Sequence, residues 1–261
     1  VGLARLKTDR ARSTLLRQHF NGWLIETPAD VFDPQAATLF DFRTPQHGEL
    51  RFFYLLPLSK RQALIEFVAL SHSHAEAALK DYVEKTLGLH DYGIVEAEGG
   101  VSPLTDRPFA RRTSAHVMTI GTAGGRVKPS SGYAFTRIQK DSAAIVQSLL
   151  ETRQPFNVPP DPKFYRLCDT LLLHIMQQRG DTLKSIFAAM FKRIPVDRIF
   201  RFLDETSSWA DNTLFIAAMP PRPFLQALYE QALSALLATL KIKTAQRRLR
   251  AHLTAWLRLN T

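Results

Sequence analysis

Leu50-Arg51-Phe52-Phe53-Tyr54-Leu55-Leu56, stopped by Pro57, and Ala63-Leu64-Ile65-Glu66-Phe67-Val68-Ala69-Leu70 after a short polar break decide how this sequence folds. Aromatic and branched residues dominate both runs, as they do in strands. The connection is too short to hold a helix, so the two runs pair antiparallel. The same texture extends toward the amino terminus. Gly22-Trp23-Leu24-Ile25-Glu26 is closed by Thr27-Pro28-Ala29-Asp30, and Thr38-Leu39-Phe40-Asp41-Phe42-Arg43 by Pro45 and His47-Gly48. An antiparallel sheet is the expectation.

Toward the carboxyl terminus the period lengthens. Ala78, Tyr82, Val83 and Leu87 recur near a 3.6 spacing with Gly88 as a stop, which predicts a helix over 74–87. A short strand over Tyr92–Ala97 leads into a loop, Glu98-Gly99-Gly100-Val101-Ser102-Pro103. His116-Val117-Met118-Thr119-Ile120 has a buried-strand pattern and enters Gly121-Thr122-Ala123-Gly124-Gly125, with a helix expected from about Tyr133 to Leu150. After the break at Pro155–Pro162 the remainder reads as helical. No internal repeat interrupts this order.

The chain has 261 residues with 34 basic and 24 acidic side chains, a formal charge of +10. At 45% hydrophobic and 22% charged it excludes a disordered chain. The single cysteine, Cys168, excludes an internal disulfide framework and any cysteine-rich zinc site. No apolar run reaches the roughly 18 residues needed to span a bilayer. The start, Val1-Gly2-Leu3-Ala4-Arg5, lacks an initiating Met and an apolar signal segment, and reads like a cut edge.

Several stretches in order resemble the lycopene cyclase family of carotenoid-forming flavoproteins, closest to its bacterial β-cyclases. They are Gln18-His19-Phe20-Asn21-Gly22-Trp23 with Ile25-Glu26-Thr27, Phe32-Asp33-Pro34, Leu39-Phe40-Asp41-Phe42-Arg43 and Phe53-Tyr54-Leu55-Leu56-Pro57-Leu58-Ser59. The likeness continues through Ala63-Leu64-Ile65-Glu66, Glu98-Gly99-Gly100-Val101-Ser102-Pro103-Leu104-Thr105, Ile120–Gly125 and Lys128-Pro129-Ser130-Ser131-Gly132-Tyr133. It implies an α/β flavoprotein fold, with α+β character in this stretch. Family members open with G-x-G-x-x-G, which holds the FAD pyrophosphate at a helix N-terminus. No such motif occurs here, so the resemblance implies the carboxyl-terminal two-thirds of a cyclase. Its parts would be a remainder of the dinucleotide-binding half at 1–18, an antiparallel substrate sheet at 19–105, an FAD-contacting strand-loop-helix at 106–155, and a helical region at 156–261.

Candidate site residues follow. Glycines admit backbone N–H groups close to a phosphate, and by resemblance Gly121, Ala123, Gly124, Gly125, Pro129 and Gly132 contact FAD; a tight turn is the plainer alternative. Glu66 lies in an apolar strand, where burial raises a carboxyl pKa as a general acid at neutral pH requires. In the family a Phe-Leu-Glu-Glu-Thr-like strand supplies that acid. Glu66 matches its first glutamate, while Phe67 stands where plant enzymes have the second; a glutamate facing water is the alternative. Phe202-Leu203-Asp204-Glu205-Thr206 spells nearly the same motif but is expected to be a solvated helix end. Asp41 and Arg43 match an Asp-Trp-Arg signature with Phe42 for Trp, and are expected to brace the substrate pocket. Glu98 would lie near flavin and substrate. His72 and His74 have no third ligand at diagnostic spacing, so no metal is expected.

The resemblance implies that linear lycopene ends, or those of a related carotenoid, close to β-ionone rings without net redox change. FAD would act in its reduced form, with NADPH only as its reductant. Other readings are flavin-dependent oxidation of a polyprenoid, or a remnant that binds membrane or carotenoid without turnover. Residues 241–261 carry Lys241, Lys243, Arg247, Arg248, Arg250 and Arg258 without an acid. Leu249, Leu253, Trp256 and Leu257 there form an apolar stripe, so peripheral attachment of a cytoplasmic protein to an anionic membrane is expected. A helix packed on the body is the alternative. No nucleic-acid recognition motif accompanies the charge.

Overall fold

A computed structural model describes residues 13–71, 74–237 and 239–240. It divides into two compact units, Val1–Pro220 and Pro221–Thr261. The first contains a five-stranded sheet in the order β2-β3-β4-β1-β5, every neighbouring pair antiparallel. The strands are β1 (Leu15–Glu26), β2 (Thr38–Asp41), β3 (Arg51–Pro57), β4 (Gln62–Ala69) and β5 (Gly93–Thr105). Helix α1 (Ala75–Asp81) continues as a wider π turn through Tyr82–Thr86. The remaining helices of this unit are α2 (Phe135–Thr152), α3 (Lys163–Arg179), α4 (Leu183–Arg193), α5 (Val196–Leu203) and α6 (Trp209–Ala218). The second unit holds a helix over 221–237.

The β3–β4 hairpin sets the register of the sheet. Pro57 stands opposite Ala63, and the Leu58 N–H donates to the Gln62 carbonyl at 2.8 Å. The segment after β1 grips this turn from outside. Thr27 N–H donates to Arg61 C=O at 2.8 Å, Val31 and Phe32 N–H donate to Lys60 C=O at 2.8 and 2.9 Å, and the Arg61 guanidinium meets Asp30 at 2.6 Å.

Side chains alternate across the strands, so the sheet has two distinct faces. One carries Ile25, Phe53, Ile65, Phe67 and Ala69, sealed by Leu79, Tyr82 and Val83 into a buried core. Phe53 and Tyr82 stack there with ring centroids 4.0 Å apart. The other face presents Phe52, Tyr54, Leu64 and Glu66. Along β2 and β3 it is covered by α4: the Phe40 ring lies 5.0 Å from Phe52 and 5.1 Å from Phe187. Phe40 reaches this position through a left-handed backbone (φ 57°), where the β2–β3 register slips between Thr38 and Asp41.

Two expected elements differ. Glu98–Pro103 is not a loop but the middle of β5, which runs unbroken to Thr105 beside β1. Its glycines answer to packing: a Cβ on Gly100 would sit 2.6 Å from the Phe20 ring. His116–Ile120 is not a buried strand. It makes one isolated bridge, Arg112 to Met118, and Val117 and Ile120 are exposed. An apolar run without a partner strand has nothing to bury against. At the amino end, Leu15–Gln18 already belong to β1, opposite Thr105–Ser102 of β5; residues 1–12 lie outside the described residues.

Candidate active site

Strand pairing places Tyr54, Glu66, Gly22 and Glu98 in one row across β3, β4, β1 and β5. Directly opposed residues share a face, so all four lie on the face away from the α1 core. Gly22 leaves a gap that Glu98 occupies: a Cβ there would be 3.1 Å from both Cγ and Oε1 of Glu98 and 3.3 Å from Leu64. Glu66 is half-buried. Burial first, and the neighbouring Glu98 charge second, push its carboxyl up to about 7. Tyr54 and Tyr133 share a hydroxyl–hydroxyl hydrogen bond of 2.9 Å, and burial raises both phenols, with Glu66 adding to the effect. That bond ties the sheet to the segment before α2.

The tie is anchored by a turn. Lys128 N–H donates to Tyr133 C=O at 2.7 Å, and Gly132 N–H to Lys128 C=O at 3.0 Å. The Lys128 side chain turns inward and is 1% exposed, with Nζ 3.1 Å from Asp169 and 3.2 Å from Glu205. Ser130 donates to Asp169 at 2.5 Å, and burial pushes the Asp169 carboxyl up against the pull of Lys128 and Ser130. Glu205 also meets Arg137 at 3.3 Å. The Asp204–Glu205 pair is therefore not a solvated helix end: Asp204 is exposed, but the Glu205 carboxylate is buried and ion-paired.

In the glycine stretch, Gly121–Gly124 form a single 3₁₀ turn. A Cβ on Gly124 would lie 2.4 Å from the Thr119 carbonyl oxygen, and one on Gly125 2.6 Å from the Phe109 ring, so the loop's own packing demands both glycines. Gly121 differs. Its backbone is left-handed (φ 60°) and nothing lies within 4 Å of where a side chain would point. Helix α2 begins at Phe135 after Ala134, which gives it no side-chain cap, and has no acid in its first turn, which leaves a positive end suited to an anionic group. The open side of Gly121 and the bare α2 terminus fit a phosphate-bearing cofactor.

Asp41 and Arg43 do form an ion pair, with Nη2 2.6 Å from Oδ2, but on the opposite face from Glu66. Only Asp41 lies on β2; Phe42 and Arg43 follow it. Burial opposes ionisation of Asp41, yet the Arg43 guanidinium and the Tyr82 hydroxyl, which donates at 2.7 Å, hold its carboxyl below the usual range. Arg43 and Tyr82 border a cleft of about 750 Å³ between the sheet and α1. Tyr82→Phe, which removes a hydrogen bond to a charged group, is expected to cost about 1.5–3 kcal/mol in urea denaturation while leaving site chemistry intact. No cluster of three metal-ligating side chains exists among the described residues. His72 and the basic stretch 241–261 lie outside them.

The sequence model of one family, described as lycopene cyclase protein, matches residues 1–229. The chain belongs to the lycopene cyclase family. No curated protein matches it. Among solved structures, a geranylgeranyl bacteriochlorophyll reductase-like protein from Thermoplasma acidophilum superposes with a TM-score of 0.51 at 13% identity, over 83% of this chain and 55% of that one. This shows a shared α/β fold. The flavin-dependent brominase Bmp2 (TM-score 0.38, 12% identity, 84% of this chain and 57% of that one) and the myxobacterial chondrochloren halogenase CndH (0.39, 12%, 86% and 58%) are more distant. The chain thus spans little more than half the length of these structures.

In this lycopene cyclase family chain the strand position after Glu66 cannot serve the same sheet face. Phe67 is 2% exposed and points into the opposite core. The carboxyl group directly across Gly22 from Glu66 is that of Glu98. Sequence reasoning missed the Tyr54–Tyr133 contact and the Lys128 cluster. The first was half visible, because a tight turn after Pro57 puts Tyr54 opposite Glu66.

Proposed function

We propose that this protein closes the linear ends of lycopene, or of a related carotenoid, into β-ionone rings. The observation that carries the reading is Glu66: a carboxyl group pushed up to about 7, half-buried beside Tyr54 and Leu64 on the sheet face that also carries Glu98. Such a group keeps a substantial protonated fraction at neutral pH and can protonate a terminal alkene. The neighbouring double bond attacks the tertiary cation so formed, and loss of a ring proton returns a neutral isomer. The aromatic face beside Glu66, including Tyr54, would stabilise the cation and keep water away. Asp41 and Arg43 would brace the sheet from its other side.

FAD is the cofactor of this proposal. Gly121, Ala123, Gly124, Gly125, Pro129 and Gly132, with the α2 terminus, would hold its phosphates. In reduced form, with NADPH as reductant, it would supply an electron-rich surface beside the cation. Expression of the full-length protein in a lycopene-accumulating bacterium tests the whole reading. Ring-bearing pigment is expected; unchanged lycopene despite folded, flavin-loaded protein overturns it.

Lycopene partitions into bilayers, so the enzyme would work from a membrane surface. No helix among the described residues is long and apolar enough to cross a membrane. In the proposal the six basic side chains of 241–261 hold the protein on anionic lipid, each contributing about 1 kcal/mol. Co-sedimentation with anionic liposomes at low salt is expected, weakened by high salt and by combined Arg247→Ala, Arg248→Ala and Arg250→Ala substitution. Equal binding by wild type and variant removes the tail from this role.

A further inference from the structure

We propose that Glu98 is the second carboxyl group of the reaction: on either side of the gap at Gly22, Glu66 delivers a proton to the chain end and Glu98 takes one back from the ring. The inference rests on the reading of this face as a proton-transfer site, and it fixes which residue closes the proton cycle. Glu66 and Glu98 are both direct partners of Gly22, on the strands either side of β1. Two strand spacings separate their Cα atoms, about 10 Å, and a side chain leaning over a glycine from each edge closes most of that distance. Glu98 does lean this way, with its Oε1 3.1 Å from the place a Gly22 Cβ would take. Any other residue at position 22 would fill the space between the two carboxyls.

The surroundings leave the two carboxyl groups facing each other. The titratable groups facing Glu66 are Tyr54 from β3, Tyr133 from the segment before α2 and Glu98 from β5; Glu96, opposite Leu24, comes next along β5 on this face. Among the described residues no cation is ion-paired with Glu66 or Glu98. Burial raises the Glu66 carboxyl first, and the neighbouring Glu98 adds to the rise. Glu98 is exposed where Glu66 is half-buried.

The cycle balances without any further reactant. The Glu66 carboxyl gives its proton to the CH carbon of the terminal double bond, and the dimethyl-bearing carbon becomes a tertiary cation. One carbon–carbon π bond is replaced by the σ bond that closes the ring. The Glu98 carboxylate then takes a proton from the carbon beside the ring cation, whose C–H electrons form the ring double bond. Transfer of that proton from Glu98 to Glu66 restores the start. Nothing is oxidised or reduced.

The test is an infrared titration of the protonated-carboxyl band in full-length, flavin-loaded protein, recorded without substrate, for wild type, Glu98→Gln, Glu98→Asp and Gly22→Ala. Glu66→Gln identifies the Glu66 band. In Glu98→Gln the Glu66 midpoint should fall by about one pH unit, because the neighbouring negative charge is gone. Ring formation should fall about 100-fold with little change in KM, and Glu98→Asp should recover part of both. Gly22→Ala should move the midpoint in the same direction by less. An unmoved Glu66 midpoint in Glu98→Gln overturns the coupling of the two carboxyl groups, whatever the substrate proves to be. A moved midpoint with undiminished ring formation overturns Glu98 as the base. If the midpoint moves but wild type itself makes no rings, the pair stands and the cyclase reading fails.

Discussion

Glu66→Gln should lower ring formation by about 10²–10⁴-fold while flavin stays bound. The amide preserves the shape of the side chain and its place opposite Gly22 and Tyr54, but it has no proton acidic enough for an alkene. The pH profile supplies an independent check. Glu66 must be protonated to act and its carboxyl is pushed up to about 7, so wild-type turnover should decline as pH rises through that value. A group at the ordinary carboxyl pKa would already have lost most activity by pH 6. Carotenoid chromatography across the pH range measures both effects, and wild-type turnover by Glu66→Gln would move the acid elsewhere.

Lys128→Met is expected to cause the largest loss of stability. The ammonium is 1% exposed and stands between Asp169 and Glu205 at 3.1 and 3.2 Å. Removing it leaves two carboxylates buried together, with Arg137 the remaining cation on Glu205. Breaking a buried ion pair from one side costs about 3–5 kcal/mol, a fall in midpoint temperature on the order of 10 °C for a unit of this size. Burial already pushes the Asp169 carboxyl up, and loss of Lys128 pushes it further. Protonating Asp169 relieves the uncompensated charge, so the deficit should shrink as pH falls and be greater at pH 8 than at pH 5. Urea denaturation at the two pH values reads this out, and a variant as stable as wild type at pH 8 would refute the account.

Elements held together by local chemistry were readable in the sequence. The β3–β4 hairpin announces itself by two apolar runs around a short polar turn, and α1 by its apolar spacing and Gly88. Glu66 was legible as a perturbed carboxyl because its neighbours Ile65 and Phe67 are apolar. What escaped depended on distant partners. Glu98–Pro103 carries glycines and a proline that mark a loop in isolation, yet an edge strand tolerates them, and β1 supplies the pairing. His116–Ile120 has strand composition but no strand beside it. The Lys128 cluster draws on Asp169 and Glu205, 41 and 77 residues away, and no local pattern connects them. That Asp41–Arg43 and Glu66 face opposite ways also follows only from the sheet register.

The turn at residues 58–61 therefore works as an index stop. Its span decides that Pro57 meets Ala63 and hence that Tyr54 meets Glu66. A single added residue there would shift β4 by one position and exchange its two sides. Phe67 would then project from the face that now carries Glu66, and the carboxyl group would be thrust among Phe53, Tyr82 and Val83. The six contacts from Thr27, Asp30, Val31 and Phe32 to Lys60 and Arg61 hold that count in place. A surface turn with no chemistry of its own thus determines which side of the sheet carries the Glu66 carboxyl.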